Sequence, residues 1–90
     1  MLTPVYTKQF EKDVKRIKKR RKNLDKLKII VQTLLEGKQL DPIHHEHKLI
    51  GKYQGRRECH IEADWLLIYK IEHEQVIFER TGTHSDLFKK

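Results

Sequence analysis

The chain has 90 residues, of which 37% are apolar and 37% charged, and its 20 lysines and arginines outnumber its 13 acidic residues to give a net charge of +7. Its single cysteine excludes an internal disulfide, and no apolar run reaches the roughly 18–20 residues of a membrane span. We therefore expect one small domain whose basic surface attracts a polyanion, with nucleic acid as the first candidate.

The first part of the chain predicts one short strand and a helix. Residues 2–6 are partly β-branched or aromatic and contain Pro4, which suits an edge strand, where a missing N–H is tolerated. Thr7 is typical of a helix N-cap. The helix that follows has one apolar stripe at positions i, i+4 and i+7, formed by Phe10, Val14 and Ile17.

A second helix is predicted after a short link at residues 20–23. Its wide apolar stripe comprises Leu24, Leu27, Ile30, Val31, Leu34 and Leu35. Asn23 or Asp25 suits its N-cap, and Gly37 suits the position just past its end. Because the link is short, the two helices are expected to form an antiparallel hairpin.

The rest of the chain reads as a loop followed by strands. Residues 38–52 show no period and contain Pro42, a cluster of histidines and Gly51, so we predict a loop there. Three strands are predicted next, at residues 53–61, 65–71 and 76–81. They are joined at residues 62–64 and 73–75, and a short helical turn is expected at 86–88.

This order of elements, β-α-α-β-β-β, predicts the α+β class. The helix hairpin packs on a small antiparallel sheet that is mixed at its N-terminal strand. Because the sequence shows no internal repeat, low-complexity tract or domain boundary, we expect residues 1–90 to form a single domain.

Basic residues are concentrated early in the chain. Eleven of the 20 lie within residues 8–28, which predicts a surface that grips phosphates without regard to base sequence. A solvated helix face is the alternative explanation. Since the run is distant in sequence from the histidines, we assign it to substrate docking, through Lys15, Arg16, Lys19 and Arg20.

The chain has six histidines: His44, His45, His47, His60, His73 and His84. Histidine titrates near neutral pH, so a pair of imidazoles can give and take protons under physiological conditions. RNA supplies its own nucleophile, the 2′-hydroxyl. Two proton-transfer groups and one arginine on the phosphate would therefore cut RNA without a metal ion or other cofactor.

The predicted strand order brings suitable residues together. His60 lies near the end of one strand, Arg80 lies near the end of the last strand, and His84 lies just beyond it. If the strands are antiparallel neighbours, both ends return to the same edge of the sheet. Asp64, in the turn beside His60, is then either a turn former or a proton acceptor.

Other uses of these side chains stay open. His44, His45, Glu46 and His47 are a candidate metal cluster, but their spacing is not a helical i, i+4 pair and no cysteine pair supports it, so we expect no metal. Trp65 is either a core residue or a base-stacking residue. Phe88 is either a tail anchor or a second stacking group.

Four runs of the sequence together resemble the YafQ branch of the RelE toxin superfamily. They are HKLIG at residues 47–51, GRRECH at 55–60, DWLLIYK at 64–70 and ERTGTHSDLF at 79–88. The resemblance implies a RelE-like fold and active-site positions at His47, His60, Asp64, Arg80, His84 and Phe88, with Trp65 beside them. We also expect Arg57, within the second run, to contact the substrate.

The resemblance implies the toxin of a type II toxin–antitoxin pair that enters the ribosomal A site and cleaves mRNA. A cognate antitoxin, the ribosome and mRNA are the expected partners. Cytoplasmic action is expected as well, since no signal-peptide pattern opens the chain and no membrane span is present. Two alternatives remain: a ParE-type toxin that inhibits DNA gyrase without cutting RNA, and a non-enzymatic RNA- or ribosome-binding module.

Overall fold

Two helices pack against one face of a five-stranded sheet in the computed structural model, which describes residues 1–88. The elements in chain order are β1 (Thr3–Tyr6), α1 (Lys8–Lys19), α2 (Leu24–Leu35), β2 (His47–Lys48), β3 (Arg57–Glu62), β4 (Trp65–Glu72), β5 (Gln75–Gly82) and α3 (His84–Phe88). The predicted α+β class and its six elements are confirmed. Strand β2 is additional, and the helical turn expected at residues 86–88 is the second part of α3, which begins at His84.

The strand order in the sheet is β1-β5-β4-β3-β2. Strand β1 pairs in parallel with β5, and every other pair is antiparallel, so the sheet is mixed at its N-terminal strand as predicted. Pro4 lies in β1 at the edge of the sheet, where its missing N–H costs little. Ile68 pairs with Arg80 and Tyr69 pairs with Phe78, so Glu79 is the extra residue of a bulge in β5.

Local sequence chemistry explains where the helices begin and end. The side chain of Thr7 accepts a hydrogen bond from the N–H of Phe10 and caps α1, and Asn23 caps α2 in the same way through the N–H of Asp25. Gly37 follows α2 with a φ of +72°, the left-handed conformation that glycine adopts without strain. No helix within residues 1–88 is long and apolar enough to cross a membrane.

The two faces of the sheet are covered differently. The main core lies between the helices and the face that carries Cys59, Ile61, Trp65, Leu67, Tyr69, Val76 and Phe78. The opposite face, called the open face below, has a small cluster of Leu66, Ile68 and Leu87 with Leu49 and Tyr53 against it. Strand β4 is apolar on both faces because α3 and residues 49–53 cover its second face.

The predicted loop at residues 38–52 is wrong in part. It contains 3₁₀ turns at Pro42–His44 and Gly51–Tyr53, and between them the two-residue strand β2. In β2, His47 pairs with Glu58 and Lys48 pairs with Arg57. A strand of two residues is too short to show an alternating sequence pattern. Strand β2 is recognised only by its pairing with β3. The predicted strand at 53–61 likewise begins later, at Arg57, because Tyr53 ends a 3₁₀ turn and Gly55 has a φ of +88°.

Thr81 connects the two central strands inside the core. Its hydroxyl accepts a hydrogen bond from Nε1 of Trp65 at 2.9 Å and donates to the carbonyl oxygen of Leu66 at 2.7 Å. Thr81 and Trp65 are both 0% exposed, so no water can replace these bonds.

We predict that Thr81→Val, which preserves shape but removes both bonds, lowers the free energy of unfolding by about 1–3 kcal/mol, because Trp65 then buries an unpaired donor. The measurement is the urea midpoint at constant m-value. Thr3→Val on the exposed edge strand is the matched control and should stay within about 0.5 kcal/mol of the parent. Equal midpoints for the two variants would contradict the assignment.

Candidate active site

Three histidines from three separate elements meet on the open face of the sheet. The ring centroids of His60 in β3 and His84 in α3 are 5.9 Å apart, and those of His47 in β2 and His60 are 6.4 Å apart. The ring of His45 is also near, at 5.8 Å from His60. The proximity of His60 and His84 is the geometry expected from the strand order.

Asp64, in the β3–β4 turn, orients His84. Its Oδ1 accepts hydrogen bonds from the main-chain N–H of His84 at 2.9 Å and from the ring Nδ1 at 2.5 Å. The main-chain bond, with the ring bond, lowers the pKa of Asp64 and keeps the carboxylate ionised. An ionised carboxylate only accepts, so Nδ1 carries the proton and Nε2 is left to exchange a proton with a substrate.

Glu58 belongs to this site, and our reading of the sequence missed it. Its side chain is 6% exposed, and its Oε1 lies 3.2 Å from Nε2 of His47 and 3.8 Å from Nε2 of His60. Its Oε2 is buried without a hydrogen-bond partner among residues 1–88. A signal was present, since residues two apart in a strand share a face and Glu58 is two before His60.

His47 has acceptors at both ring nitrogens. Its Nδ1 donates to the carbonyl oxygen of His45 at 2.8 Å, while Nε2 faces the Glu58 carboxylate. The ring is therefore bound to the main chain on one side and lies beside a buried carboxylate on the other. This environment makes His47 less suited than His84 to free proton exchange.

Arg80 is held by Asp13, a fully buried carboxylate on α1. The Nε and Nη2 atoms of Arg80 donate to the two Asp13 oxygens at 2.7 and 3.2 Å, and the N–H of Thr81 donates to the same carboxylate at 3.1 Å. The hydrogen bonds to Asp13 raise the pKa of Arg80, with a smaller effect from Tyr53. The arginine is therefore a permanent cation in a fixed orientation.

Phe88 stands at the end of α3 with 42% of its surface exposed. Its ring meets that of Tyr53 edge to face at 5.8 Å, which fixes one edge and leaves a ring surface exposed. An open cavity of about 630 Å³ is lined by Phe88 together with Arg16, His84, Ser85 and Asp86. The aromatic ring, a cation and an imidazole thus share one depression in the surface.

The four basic residues assigned to docking lie on α1 or, for Arg20, at its C-cap, and they differ in their surroundings. Lys15 and Lys19 are exposed. Arg20 instead forms a bidentate pair with Asp86, at 2.7 and 3.1 Å. Arg16 lies between two carboxylates, at 3.5 Å from Asp13 and 3.6 Å from Asp86.

The structure contradicts one predicted substrate contact, Trp65, and gives a second, Arg57, a structural partner. Trp65 is 0% exposed in the main core, where its indole bonds to Thr81, so it cannot stack on a base. Arg57 pairs with Tyr69 across the sheet and therefore faces the helices rather than the histidines. Its Nε donates to Glu46 at 3.1 Å, and Glu46 also accepts from the hydroxyl of Tyr69, so Arg57 helps to anchor the chain before β2.

The remaining candidates for chemistry find structural explanations. Nδ1 of His44 donates to the carbonyl oxygen of His60 at 2.7 Å. Within residues 1–88, no group of three or more histidine, cysteine, aspartate and glutamate side chains is arranged to hold a metal ion. Burial raises the pKa of Cys59 to about 12, which disfavours its nucleophilic thiolate form.

The sequence matches a known protein family over nearly its whole length. The model of the family described as a bacterial toxin of type II toxin–antitoxin system, YafQ, matches residues 2–89. The chain is 43% identical over 84 residues to the mRNA interferase toxin YafQ of Escherichia coli K12, covering 92% of this chain and 91% of that protein.

Solved structures agree as well. A chain of the Escherichia coli DinJ–YafQ complex has a TM-score of 0.91 at 40% identity, covering 98% of this chain and 99% of that one. A metal-bound toxin from Helicobacter pylori has a TM-score of 0.91 at 37% identity, covering 98% and 100%. The resemblance predicted from the sequence is confirmed, and the chain belongs to the YafQ family of bacterial toxins of type II toxin–antitoxin systems.

Proposed function

We propose that this protein is a ribosome-dependent endoribonuclease that cleaves mRNA by acid–base catalysis, with the 2′-hydroxyl of the substrate as nucleophile. The observation that supports it best is the pair of imidazoles, His60 and His84, 5.9 Å apart on one face, with Asp64 on Nδ1 of His84. The name of the Escherichia coli relative, an mRNA interferase, supports the same reaction.

The reaction divides proton transfer between the two imidazoles. One removes the proton of the 2′-hydroxyl, whose oxygen forms a bond to phosphorus. The bond from phosphorus to the 5′-oxygen breaks, and the other imidazole protonates that leaving oxygen. The products are a 2′,3′-cyclic phosphate and a 5′-hydroxyl end, and no metal ion takes part. Proton transfer of this kind contributes about 10²–10⁴-fold for each group.

Arg80 stabilises the charge that develops on the phosphate. Asp13 occupies its Nε and Nη2 atoms, so Nη1 is left for a phosphate oxygen. The cation needs no reorientation during the reaction, because its buried partner holds it in place. His47, with Glu58, orients and polarises the site beside His60, and Phe88 stacks on a base next to the scissile phosphate.

Docking depends on the basic surface of α1, where Lys15 and Lys19 are exposed to phosphates of the ribosome and mRNA. A toxin of this kind acts in the cytoplasm, where ribosomes translate, and is restrained by a cognate antitoxin. The Escherichia coli relative forms a complex with DinJ, which supports an antitoxin partner here.

We predict that His60→Gln and His84→Gln each reduce mRNA cleavage on programmed ribosomes by about 10²–10⁴-fold, because each removes one proton-transfer group. The measurements are the rate of fragment appearance and, separately, the ribosome dissociation constant, which should not change. His73→Gln, in the distant β4–β5 turn, is the control and should cleave normally. Gyrase inhibition with mRNA intact would instead favour the ParE-type alternative.

A substrate with sulfur in place of the bridging 5′-oxygen separates acid from base, because a thiolate leaves without a proton. Of the two glutamine variants, the one that lacks the acid should regain cleavage on this substrate, and the one that lacks the base should not. Rescue of neither variant, or of both, would contradict the division of roles.

Asp64 offers a graded test of how His84 is oriented. Asp64→Asn keeps an acceptor oxygen but removes the charge, and we expect about a tenfold loss of cleavage, whereas Asp64→Ala should lose about a hundredfold. Because the pKa of Asp64 is lowered, its pairing is lost only as the pH falls through that lowered value, so wild-type rates above about pH 5 should show no acid limb from this group. Wild-type activity of the alanine variant would contradict the role of Asp64.

The docking assignment predicts a change in salt dependence. Lys15→Ala with Lys19→Ala should weaken ribosome binding and reduce the slope of log affinity against log salt by about 1.4–1.8, which is two phosphate contacts. Cleavage by the bound toxin should be unchanged. Lys38→Ala, whose side chain is 71% exposed after α2, is the control. An equal loss of binding in the control would show that net charge, and not this face of α1, controls docking.

A further inference from the structure

Helix α3 holds His84, yet it has only five residues, His84–Phe88. A helix of this length is not stable alone, so its place depends on contacts with the rest of the protein. Leu87, 5% exposed, packs against Leu66 and Ile68 and provides the apolar contact. The polar contact is made by Asp86, a residue that the proposed reaction does not use.

Asp86 bonds in two directions at once. Its Oδ2 accepts from the N–H of Thr83 at 3.0 Å, while its own N–H donates to the Thr83 hydroxyl at 3.1 Å, which caps α3 reciprocally. Nη1 and Nη2 of Arg20, on the C-terminal side of α1, donate to its two oxygens at 2.7 and 3.1 Å. The hydrogen bonds from Arg20 lower the pKa of Asp86, whose side chain is only 13% exposed.

The backbone beside α3 makes room for this arrangement. Gly82 precedes the helix with a φ of +157°, and a Cβ atom built there would lie 2.8 Å from Oδ2 of Asp86. Any side chain at this position would push the carboxylate away from Thr83 and Arg20. The close fit indicates that the position of the Asp86 carboxylate is set by the fold and is not one of many surface rotamers.

The face of α1 that contacts Asp86 also contacts Arg80 of β5. Asp13, Arg16 and Arg20 are three and four residues apart and so lie along one helix face. Asp13 bonds Arg80, Arg16 lies between Asp13 and Asp86, and Arg20 bonds Asp86. A single helix face therefore contacts both the cation on the phosphate and the short helix that holds His84.

We infer that Asp86 and Arg20 are positioning residues for mRNA cleavage, fixing α3 so that the imidazole of His84 faces that of His60. This inference rests on the role proposed for His84. Asp64 bonds both the ring and the main-chain N–H of His84, but its carboxylate is 64% exposed and lies on a turn. The Asp86 carboxylate is 13% exposed and holds α3 against Arg20 at the end of α1. A displacement of about 1 Å can reduce a rate by about a hundredfold.

As a positioning residue, Arg20 has a different role from the docking contact expected from the sequence. As a phosphate contact, Arg20 would contribute to affinity, and Asp86 would oppose it by adding negative charge. As a positioning residue, Arg20 contributes to kcat and needs Asp86 to do so. The two roles predict opposite results for the same substitution.

The experiment measures kcat, KM and ribosome affinity for Asp86→Asn, Arg20→Ala and the double variant. We expect each single variant to lose about tenfold or more in kcat with KM and affinity unchanged, and the double variant to be no worse than either. Arg20→Lys should recover part of kcat, since it restores the charge without the bidentate geometry. Glu36→Gln, whose partner is Lys38 after α2, is the matched control.

Stability measurements distinguish a loss of folding from a loss of catalysis in these variants. Asparagine keeps an oxygen for the N–H of Thr83, so Asp86→Asn should fold, and urea midpoints verify that each variant is native under assay conditions. Unchanged kcat in Asp86→Asn, or tighter ribosome binding in it with weaker binding in Arg20→Ala, would overturn the positioning role. If His84→Gln itself cleaves normally, the proposed function fails first; if His84→Gln is inactive but Asp86→Asn is normal, only this inference fails.

Discussion

The fully buried carboxylate of Asp13 is the contact on which the rest of the site depends. A charge removed from water is costly unless it is paired and hydrogen-bonded, and Asp13 accepts from Arg80 and from the main chain of Thr81. Those bonds join α1 to β5 just past the bulge, where β1 no longer pairs with β5. The requirement to satisfy one carboxylate thus fixes both the docking helix and the arginine.

The sheet keeps its stabilising and its chemical surfaces apart. One face carries most of the buried apolar side chains and both long helices, while α3 and residues 49–53 pack against the apolar cluster of the open face. Because side chains alternate along a strand, each residue of β3 serves one face or the other. Cys59 packs against the helices, whereas Glu58 and His60 on either side of it face the site.

Some polar groups of the site exchange protons, and others hold the proton-exchanging groups in place. The side chain of His84 is 55% exposed, and among residues 1–88 its ring is hydrogen-bonded at Nδ1, which leaves Nε2 for proton exchange. His47 has acceptors at both nitrogens, and Arg80 is committed to Asp13 through two of its nitrogens. Rigid neighbours of this kind reduce the reorganisation needed when charge develops on a phosphate.

Local patterns in the sequence specify most of the elements and their class. The 3.6-residue stripes of α1 and α2, the caps at Thr7 and Asn23 and the apolar run of β4 are local signals, and each reports burial of an element's own surface. The resemblance in residues 47–88 also identified the histidines and Arg80. Tertiary structure decided what local signals do not contain: that β2 exists, that Trp65 and Arg57 face away from the site, and that Glu58 belongs to it. Asp13 and Arg80 are 67 positions apart, and no period in the chain predicts their pairing, because a buried ion pair is selected by which surfaces the folded sheet brings into contact.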